Sequence, residues 1–294
     1  MSGAPHRAGV VALLGPPNAG NSTLLNRLLG EKLAIVSAKP QTTRSRLLGI
    51  LSLEGAQLLL VDTPGRHAGS RPLNAALNQQ VEAAADDCDV AVLLMDLRAG
   101  WRAEHAELLA RLRARGAPVL LAGTKLDLPG AREVPFPPPE AAGVAAALRL
   151  SGATGEGVEE LLREIVARLP ESPPYHDREH LSDRPLRFLA AELVREAAFE
   201  ELEQELPYAL AVEVVEFDES RPDGVRIRAN LIVERASQKR IAVGTGGAVV
   251  KRIGVRARHE IARLLGTPVH LGLWVVVEPG WSKRRARLEA LGYT

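Results

Sequence analysis

The 294-residue sequence predicts an α/β domain with a mixed, mostly parallel sheet, followed by a smaller α+β domain. Three observations carry this. Through about residue 170, short apolar runs alternate with amphipathic stretches, the pattern of strands buried on both faces between helices. Residues 169–183, LPESPPYHDREHLSD, are polar and proline-bearing and break that pattern. Beyond them the elements follow a different order, α-β-β-α-α-β. The length also exceeds the usual size of one domain. The expected boundaries are 1–170, a linker at 171–184, and 185–294 with a basic C-terminal tail.

In the first part Gly9–Gly15, Leu47–Leu53, Ala56–Asp62, Asp89–Asp96 and Pro118–Gly123 read as strands, and another ends at Leu148–Leu150. Leu47–Leu53 and Ala56–Asp62 flank Glu54-Gly55, so they form an antiparallel hairpin at one edge. Ser22–Leu29, Pro72–Ala84, Ala103–Ala114 and Val158–Leu169 read as helices. Val134–Glu140, with four prolines, is a surface loop. In the second part Pro185–Glu205 is a charged amphipathic helix. Tyr208–Asp218 and Val225–Glu234 alternate as strands around the turn at Pro222-Asp223-Gly224. Gln238–Val243 is a short helix, Gly244–Gly247 a glycine-rich turn, Ala248–Leu265 a longer helix and Pro268–Glu278 a last strand.

Composition narrows the class. Hydrophobic residues at 46% and charged ones at 25% fit a soluble globular chain able to bury a core. The one cysteine, Cys88, excludes an intramolecular disulfide and points to a reducing, cytoplasmic setting. No apolar run approaches membrane-spanning length, and Met1–Arg7 is too short and polar for a signal peptide. Residues 235–294 hold 12 Lys/Arg against 3 Asp/Glu, so this end carries +9 within a net charge of +1. That asymmetry suits an anionic partner or a solvated basic face; charge alone does not choose.

The first strand runs into Gly15-Pro16-Pro17-Asn18-Ala19-Gly20-Asn21-Ser22-Thr23, which opens a helix. This is the context of a phosphate-binding loop, in which glycines let successive backbone N–H groups surround phosphate oxygens at a positive helix end. The Ser22 hydroxyl would sit on Mg²⁺. The motif asks for Lys where the chain has Asn21, and an amide does not supply the lost charge. After another strand come Asp62-Thr63-Pro64-Gly65, a carboxylate able to hold Mg²⁺ through water and an N–H able to sense a γ-phosphate. A third strand ends at Thr124-Lys125-Leu126-Asp127. There Asp127 can accept from the ring N–H and exocyclic amine of guanine, and the Lys125 stem can cover the base. Ser151-Gly152-Ala153 can back the base with main-chain N–H groups. Each alone could be loop chemistry; all four lie at strand carboxyl ends, where open α/β sheets bind ligands.

These motifs, with Pro40-Gln41-Thr42-Thr43-Arg44 and the run SGATGEG from Ser151 to Gly157, resemble translation-factor-type GTPases. With Ser182-Asp183-Arg184-Pro185, Glu205-Leu206-Pro207-Tyr208 and Glu234-Arg235 followed by Ser237-Gln238-Lys239, the chain resembles the Era family of ribosome-assembly GTPases over nearly its whole length. The resemblance implies a P-loop GTPase domain, GTP/GDP and Mg²⁺ as cofactors, and a first switch at Gln41–Arg44. There Thr43, or Thr42, completes a metal shell with Ser22 and Asp62. Catalysis would rest on Thr43, Asp62 and Gly65. Arg66 stands where many GTPases carry a water-orienting Gln, so turnover should be slow. Thr124 replaces the usual Asn of the guanine motif.

Within the α-β-β-α-α-β order, Gly244-Thr245-Gly246-Gly247 matches the GxxG loop of a type II KH domain, where backbone meets sugar–phosphate and about four nucleotides lie in the adjoining groove. Val250, Ile253, Ala257, Ile261 and Leu264 share one face of the following helix and read as core. Lys251, Arg252, Arg256, Arg258 and Arg263 fall largely elsewhere. Lys251 and Arg252, with Ser237, Gln238 and Lys239, are the expected RNA contacts. Trp274 and Trp281 could stack on bases, but Trp274 lies within an alternating strand and reads rather as core. The tail Lys283-Arg284-Arg285-Ala286-Arg287 is either further RNA contact or a solvated end. The family implies binding to the 3′ end of small-subunit ribosomal RNA and the pre-30S particle, with peripheral attachment at the inner membrane face; a monomer with no DNA partner is expected. The alternative is a nucleotide-sensing RNA-binding scaffold with GTPase activity impaired or lost through Asn21. A P-loop ATPase is disfavoured by Thr124–Asp127.

Overall fold

The computed structural model describes residues 5–36, 47–63 and 72–293, the side chains of 72–77 excepted. Two compact units meet in sequence between Asp183 and Arg184.

The first unit contains strands β1 (Arg7–Leu14), β2 (Leu47–Leu53), β3 (Ala56–Asp62), β4 (Val90–Asp96), β5 (Val119–Thr124) and β6 (Ala146–Arg149), with helices α1 (Asn21–Leu29), α2 (Pro72–Asp86), α3 (Ala103–Arg115) and α4 (Val158–Arg168). The sheet order is β2-β3-β1-β4-β5-β6. Only β2 runs antiparallel, paired with β3 through a tight turn at Gly55; every other pairing is parallel. The central strands are Leu- and Val-rich throughout because both faces are covered, so β4 and β5 bury nearly every residue. One core joins Val81 of α2 and Leu108, Leu109 and Leu112 of α3 to Ala12, Leu14 and Leu93. Helix α1 rests on β1, β2 and β3, and α4 on β5 and β6. Cys88 lies half-buried just before β4, and burial pushes its thiol up to about 11, in keeping with a structural thiol.

The polar stretch after α4 is largely exposed but bonded to this sheet at several points. Pro170 O accepts from Ala8 N, and the Gln57 carboxamide holds the backbone of Tyr175 and His176. The Ile50 N–H donates to Leu181 O and Ser182 Oγ to Leu48 O, continuing the sheet at its β2 edge.

The second unit comprises α5 (Leu186–Glu201), β7 (Ala211–Asp218), β8 (Val225–Val233), α6 (Ala236–Val243), α7 (Ala248–Leu265), β9 (Val269–Val277) and α8 (Arg285–Ala290). Its sheet, β7-β8-β9, pairs β7 antiparallel and β9 parallel to β8. Leu193, Val194 and Ala197 of α5 meet Ile253, Ala257 and Ile261 of α7 over Ile227, Ala229 and Leu231 of β8. Helix α5 stops four residues before the expected Glu205, because Leu202 turns extended and Pro207 opens a short 3-10 turn. Residues 279–293 depart further from expectation. They are not a loose tail but a turn and α8, whose Trp281, Leu288 and Tyr293 pack on Ala211, Ile232 and Val276. Arg287 is tied inward to Glu213 and Glu278 and Arg284 reaches Glu278, whereas Arg285 pairs with Glu289 on the exposed side of α8.

Candidate functional site

The first candidate site lies at the carboxyl ends of β1, β3, β5 and β6. The β1–α1 loop begins at Gly15, whose position is so tight that a Cβ would come within 2.8 Å of Leu94 O and 2.9 Å of the Ala19 Cβ. Asn18 and Gly20 then adopt positive φ, 64° and 107°, a reversal that only glycine and short polar residues tolerate cheaply. Alternation of this kind turns backbone N–H groups toward one point, and the loop ends on the amino terminus of α1. Thr124 pins the turn from below: its Oγ1 donates to Ala19 O at 2.6 Å, with Met95 O at 3.3 Å. A threonine at the end of β5 thus ties the β1–α1 loop to this strand, its single O–H going to the nearer carbonyl, Ala19 O.

Ser22 and Asp62 come from different strands' loops, yet Ser22 Oγ donates to Asp62 Oδ2 at 2.7 Å. Two hard oxygen donors from a helix start and a strand end, with Asp62 fully buried, suit Mg²⁺ shared with phosphate oxygens. The fit to a nucleotide's charge is less good at Asn21. This first residue of α1 is 8% exposed, its Nδ2 donates to Leu13 O at 3.2 Å, and its buried Oδ1 has no hydrogen-bond partner. An amide held this way delivers no positive charge to the loop.

Asp127 is exposed beyond β5, and its Oδ1 accepts from Ser151 Oγ at 2.5 Å. Ser151 also takes the Thr154 N–H, so one buried hydroxyl sets both the carboxylate and the next loop. Lys125, at φ 61°, is bent back so that Nζ lies 2.9 Å from Asp96 Oδ2. Burial raises the Asp96 pKa, but the Lys125 ammonium and two backbone N–H groups outweigh it, and the carboxyl sits below its ordinary value. Leu126 is buried and its N–H donates to Leu150 O. Gly152 and Ala153 are steadied by Arg27 of α1, which donates to both carbonyls. Neither Arg27 nor Asp96 is visible as a site residue in sequence; the only signal is a charge just after, or between, recognised motifs. Thr63 Oγ1 donates to Leu13 O. The expected roles of Thr43, Pro64, Gly65 and Arg66, and of the whole segment 40–44, lie outside the described residues.

The second candidate site is on the KH-like unit. Gly244, Gly246 and Gly247 all take positive φ, 73°, 60° and 81°. At Gly244 a Cβ would strike Val249, whereas Gly246 and Gly247 have open space in front of them, as a backbone that receives a ligand requires. Beside the loop, α7 and the edge strand β9 enclose a groove of about 280 Å³ lined by Val250, Lys251, Gly254, Val255, Arg258 and Leu271, among others. Its apolar floor and cationic rim can accept bases and phosphates.

Several expected contacts are placed differently. Arg252 is turned away, its Nε donating to Glu201 of α5 at 2.6 Å, and Arg256 pairs with Glu200 in the same way. Residues 251 and 252 are about 100° apart around a helix, so only one can face the groove. Gln238 caps α6, its Oε1 accepting the Glu234 and Arg235 N–H groups; Ser237 and Lys239 are exposed beside it. Trp274, expected in the core, is 49% exposed, and Trp281 is the tryptophan that is fully buried. Along β9 it is Val269, Leu271, Leu273 and Val275 that face the helices, which puts Trp274 on the opposite face. Among the described residues no helix is long and apolar enough to cross a membrane, and no cluster of three or more His, Cys, Asp or Glu could hold a metal.

Residues 10–125 match the family described as 50S ribosome-binding GTPase, and residues 205–282 match the KH domain. The chain is 42% identical over 292 residues to the GTPase Era of Afipia carboxidovorans, covering 98% of this chain and 94% of that one. It is 43% identical over 298 residues to the GTPase Era of Stenotrophomonas maltophilia, with 98% of each chain covered. An Era crystal structure in complex with MgGDPNP and nucleotides 1506–1542 of 16S ribosomal RNA superposes with a TM-score of 0.91 at 34% identity, covering 98% of this chain and 99% of the other. A single-substitution variant of Aquifex aeolicus Era bound to GDP·AlF4⁻ gives 0.92 at 34%, with the same coverage. With a P-loop GTPase sheet followed by a KH domain, and near-complete coverage at this identity, the chain belongs to the GTPase Era family.

Proposed function

We propose that this protein binds GTP and GDP with Mg²⁺, hydrolyses GTP slowly, and grips the 3′ end of small-subunit ribosomal RNA to assist small-subunit assembly. The observation that carries the reading is the convergence of four loops on one end of the first sheet, with an open GxxG turn on the second. In this reading the backbone from Gly15 to Ser22 cradles phosphates, and Thr23 follows at the start of α1. Ser22, Asp62 and Thr43 serve the metal. Asp127 reads the guanine edge, Lys125 covers the base, and Ser151 to Ala153 back it. Phosphoryl transfer is then positioning and charge neutralisation around an attacking water. Gly65, flanked in sequence by Pro64 and Arg66, is assigned to sensing the γ-phosphate, and Arg66 stands where many GTPases carry a water-orienting Gln, so turnover is slow.

On the RNA side Gly244 to Gly247 approach the sugar–phosphate, and Lys251 with the groove beside it takes the following nucleotides. We assign 1–170 to the nucleotide domain, 171–184 to the linker and 185–294 to the RNA-binding domain. The reading extends to a cytoplasmic monomer acting on the pre-30S particle, peripheral at the inner membrane face, with no DNA partner. Support for the nucleotide and RNA comes from the Era complexes with MgGDPNP and with 16S ribosomal RNA nucleotides 1506–1542.

A second reading is favoured by one observation, the unpartnered Asn21 Oδ1 where a lysine is expected. It is an RNA-binding scaffold that senses nucleotide with little or no hydrolysis. Titration of GTP, GDP and ATP, then single-turnover hydrolysis with and without the 3′-terminal RNA, separates the two. GTP turnover above the buffer rate, raised by RNA, supports the enzyme; tight guanine-nucleotide binding with no turnover supports the scaffold.

A further inference from the structure

The sheet of the KH domain has two faces. Its inner face is closed by α5 and α7. Among the described residues its outer face is covered at one end, where Trp281, Leu288 and Tyr293 sit on Ala211, Ile232 and Val276. Further along, the cross-strand row Glu216–Arg228–Gly272 and the residues Arg226, His270 and Trp274 line an open concavity of about 560 Å³.

Its centre is an indole laid on a glycine. At Gly272 a Cβ would come within 2.7 Å of Cζ3 and Cη2 of Trp274, so any other residue would push the ring off this shelf. The Arg228 guanidinium lies over the ring at 5.0 Å, while also pairing with Glu216 at 3.2 Å. Arg226 and Arg258 add positive charge; Glu216 answers part of it, and the His270 ring lies 3.5 Å from the Asp223 carboxylate. A flat ring nearly half exposed among guanidinium groups is a surface that stacks bases and holds phosphates. It is also continuous with the groove beside the GxxG loop. Arg258 and Leu271 line both concavities, which therefore meet at the edge of β9.

We infer that this outer face is a second platform for the same single-stranded RNA: a nucleotide leaving the groove past Arg258 stacks its base on Trp274 while Arg226 and Arg228 hold its phosphates. The inference rests on the RNA-binding reading above and extends the footprint beyond the roughly four nucleotides that a KH groove accepts.

The test is fluorescence anisotropy on the full chain with two labelled single-stranded RNAs of common sequence, about four and about ten nucleotides long. Trp274→Ala should weaken the longer strand roughly 5- to 100-fold, the effect of losing one stacked base, and leave the shorter unchanged. Trp274→Phe should recover most of that loss, and Gly272→Val, which dislodges the ring without removing it, should reproduce it. Unchanged affinity of Trp274→Ala for the longer strand overturns the inference. So does an equal loss for both lengths, which would make the indole a support for the groove. A wild-type chain that binds neither RNA defeats the RNA-binding reading itself; one that binds both without regard to Trp274 defeats only the platform.

Discussion

Restoring a lysine at position 21 has consequences that can be worked from the local bonding. Asn21→Lys removes one neutral hydrogen bond, from Nδ2 to Leu13 O. Such a bond contributes about 1 kcal/mol. Leu13 O keeps a donor, Thr63 Oγ1 at 3.1 Å, so no buried carbonyl is orphaned. Loss of that bond alone should cost the nucleotide-free protein about 1 kcal/mol of stability. In the proposed nucleotide complex the ammonium would serve β- and γ-phosphate oxygens. A hydrogen bond to a charged group contributes roughly 1.5–3 kcal/mol, or about 10- to 100-fold in affinity. The gain should be larger for GTP than for GDP, because the γ-phosphate is one of the groups served, and hydrolysis should quicken because charge develops there. Calorimetry with both nucleotides in Mg²⁺, followed by single-turnover hydrolysis, reads these effects. Equal affinities and rates in the two proteins would refute the role given to this position.

Three further outcomes follow from single contacts. Thr124→Ala, which removes the hydroxyl holding Ala19 O, should cost about 1–2 kcal/mol in a denaturant melt and weaken guanine nucleotides, with Thr124→Ser recovering most of both. Replacing Gly246 and Gly247 with Asp puts side chains and negative charge on positive-φ residues in the open loop; RNA binding should vanish while nucleotide titration is unchanged, and undiminished RNA binding would remove the loop from the interface. The Arg287 guanidinium holds the Glu213 carboxyl below its ordinary value, so this pair stabilises the fold above the usual carboxylate range, and that contribution is lost as pH falls through the depressed pKa. Thermal melts followed by circular dichroism across the acid range should show a steeper acid decline in the wild type than in Arg287→Ala; parallel declines would contradict it.

Much of this architecture was legible in the sequence because its signals are local. β2 and β3 fall on the expected residues, since a hairpin through Gly55 and continuous apolar runs admit one arrangement. Helix α7 does too, bounded by the glycines Gly247 and Gly266. What the sequence hid is what depends on partners distant along the chain. Helix α8 is basic on its surface, and only the burial of Trp281 and Tyr293 against the outer sheet makes it fold inward. Arg252 was indistinguishable from Lys251 until Glu201 on α5 was seen to claim it. Trp274 followed an alternation whose inward phase is set by which face meets the helices, a tertiary fact. At the nucleotide site the motif residues were readable, but the hold of Arg27 on the Gly152 and Ala153 carbonyls spans 125 residues or more and left no pattern.

The central claim is that a purine sits at the tips of the first sheet and that Asp127 inspects it. Calorimetry of GDP, ADP and xanthosine diphosphate against wild type and Asp127→Asn tests this most directly. The wild type should prefer GDP. The variant, whose carboxamide can offer a donor to the 2-oxo group of xanthine, should shift toward xanthosine diphosphate. Equal binding of GDP and ADP by the wild type, unaltered by the substitution, would contradict it.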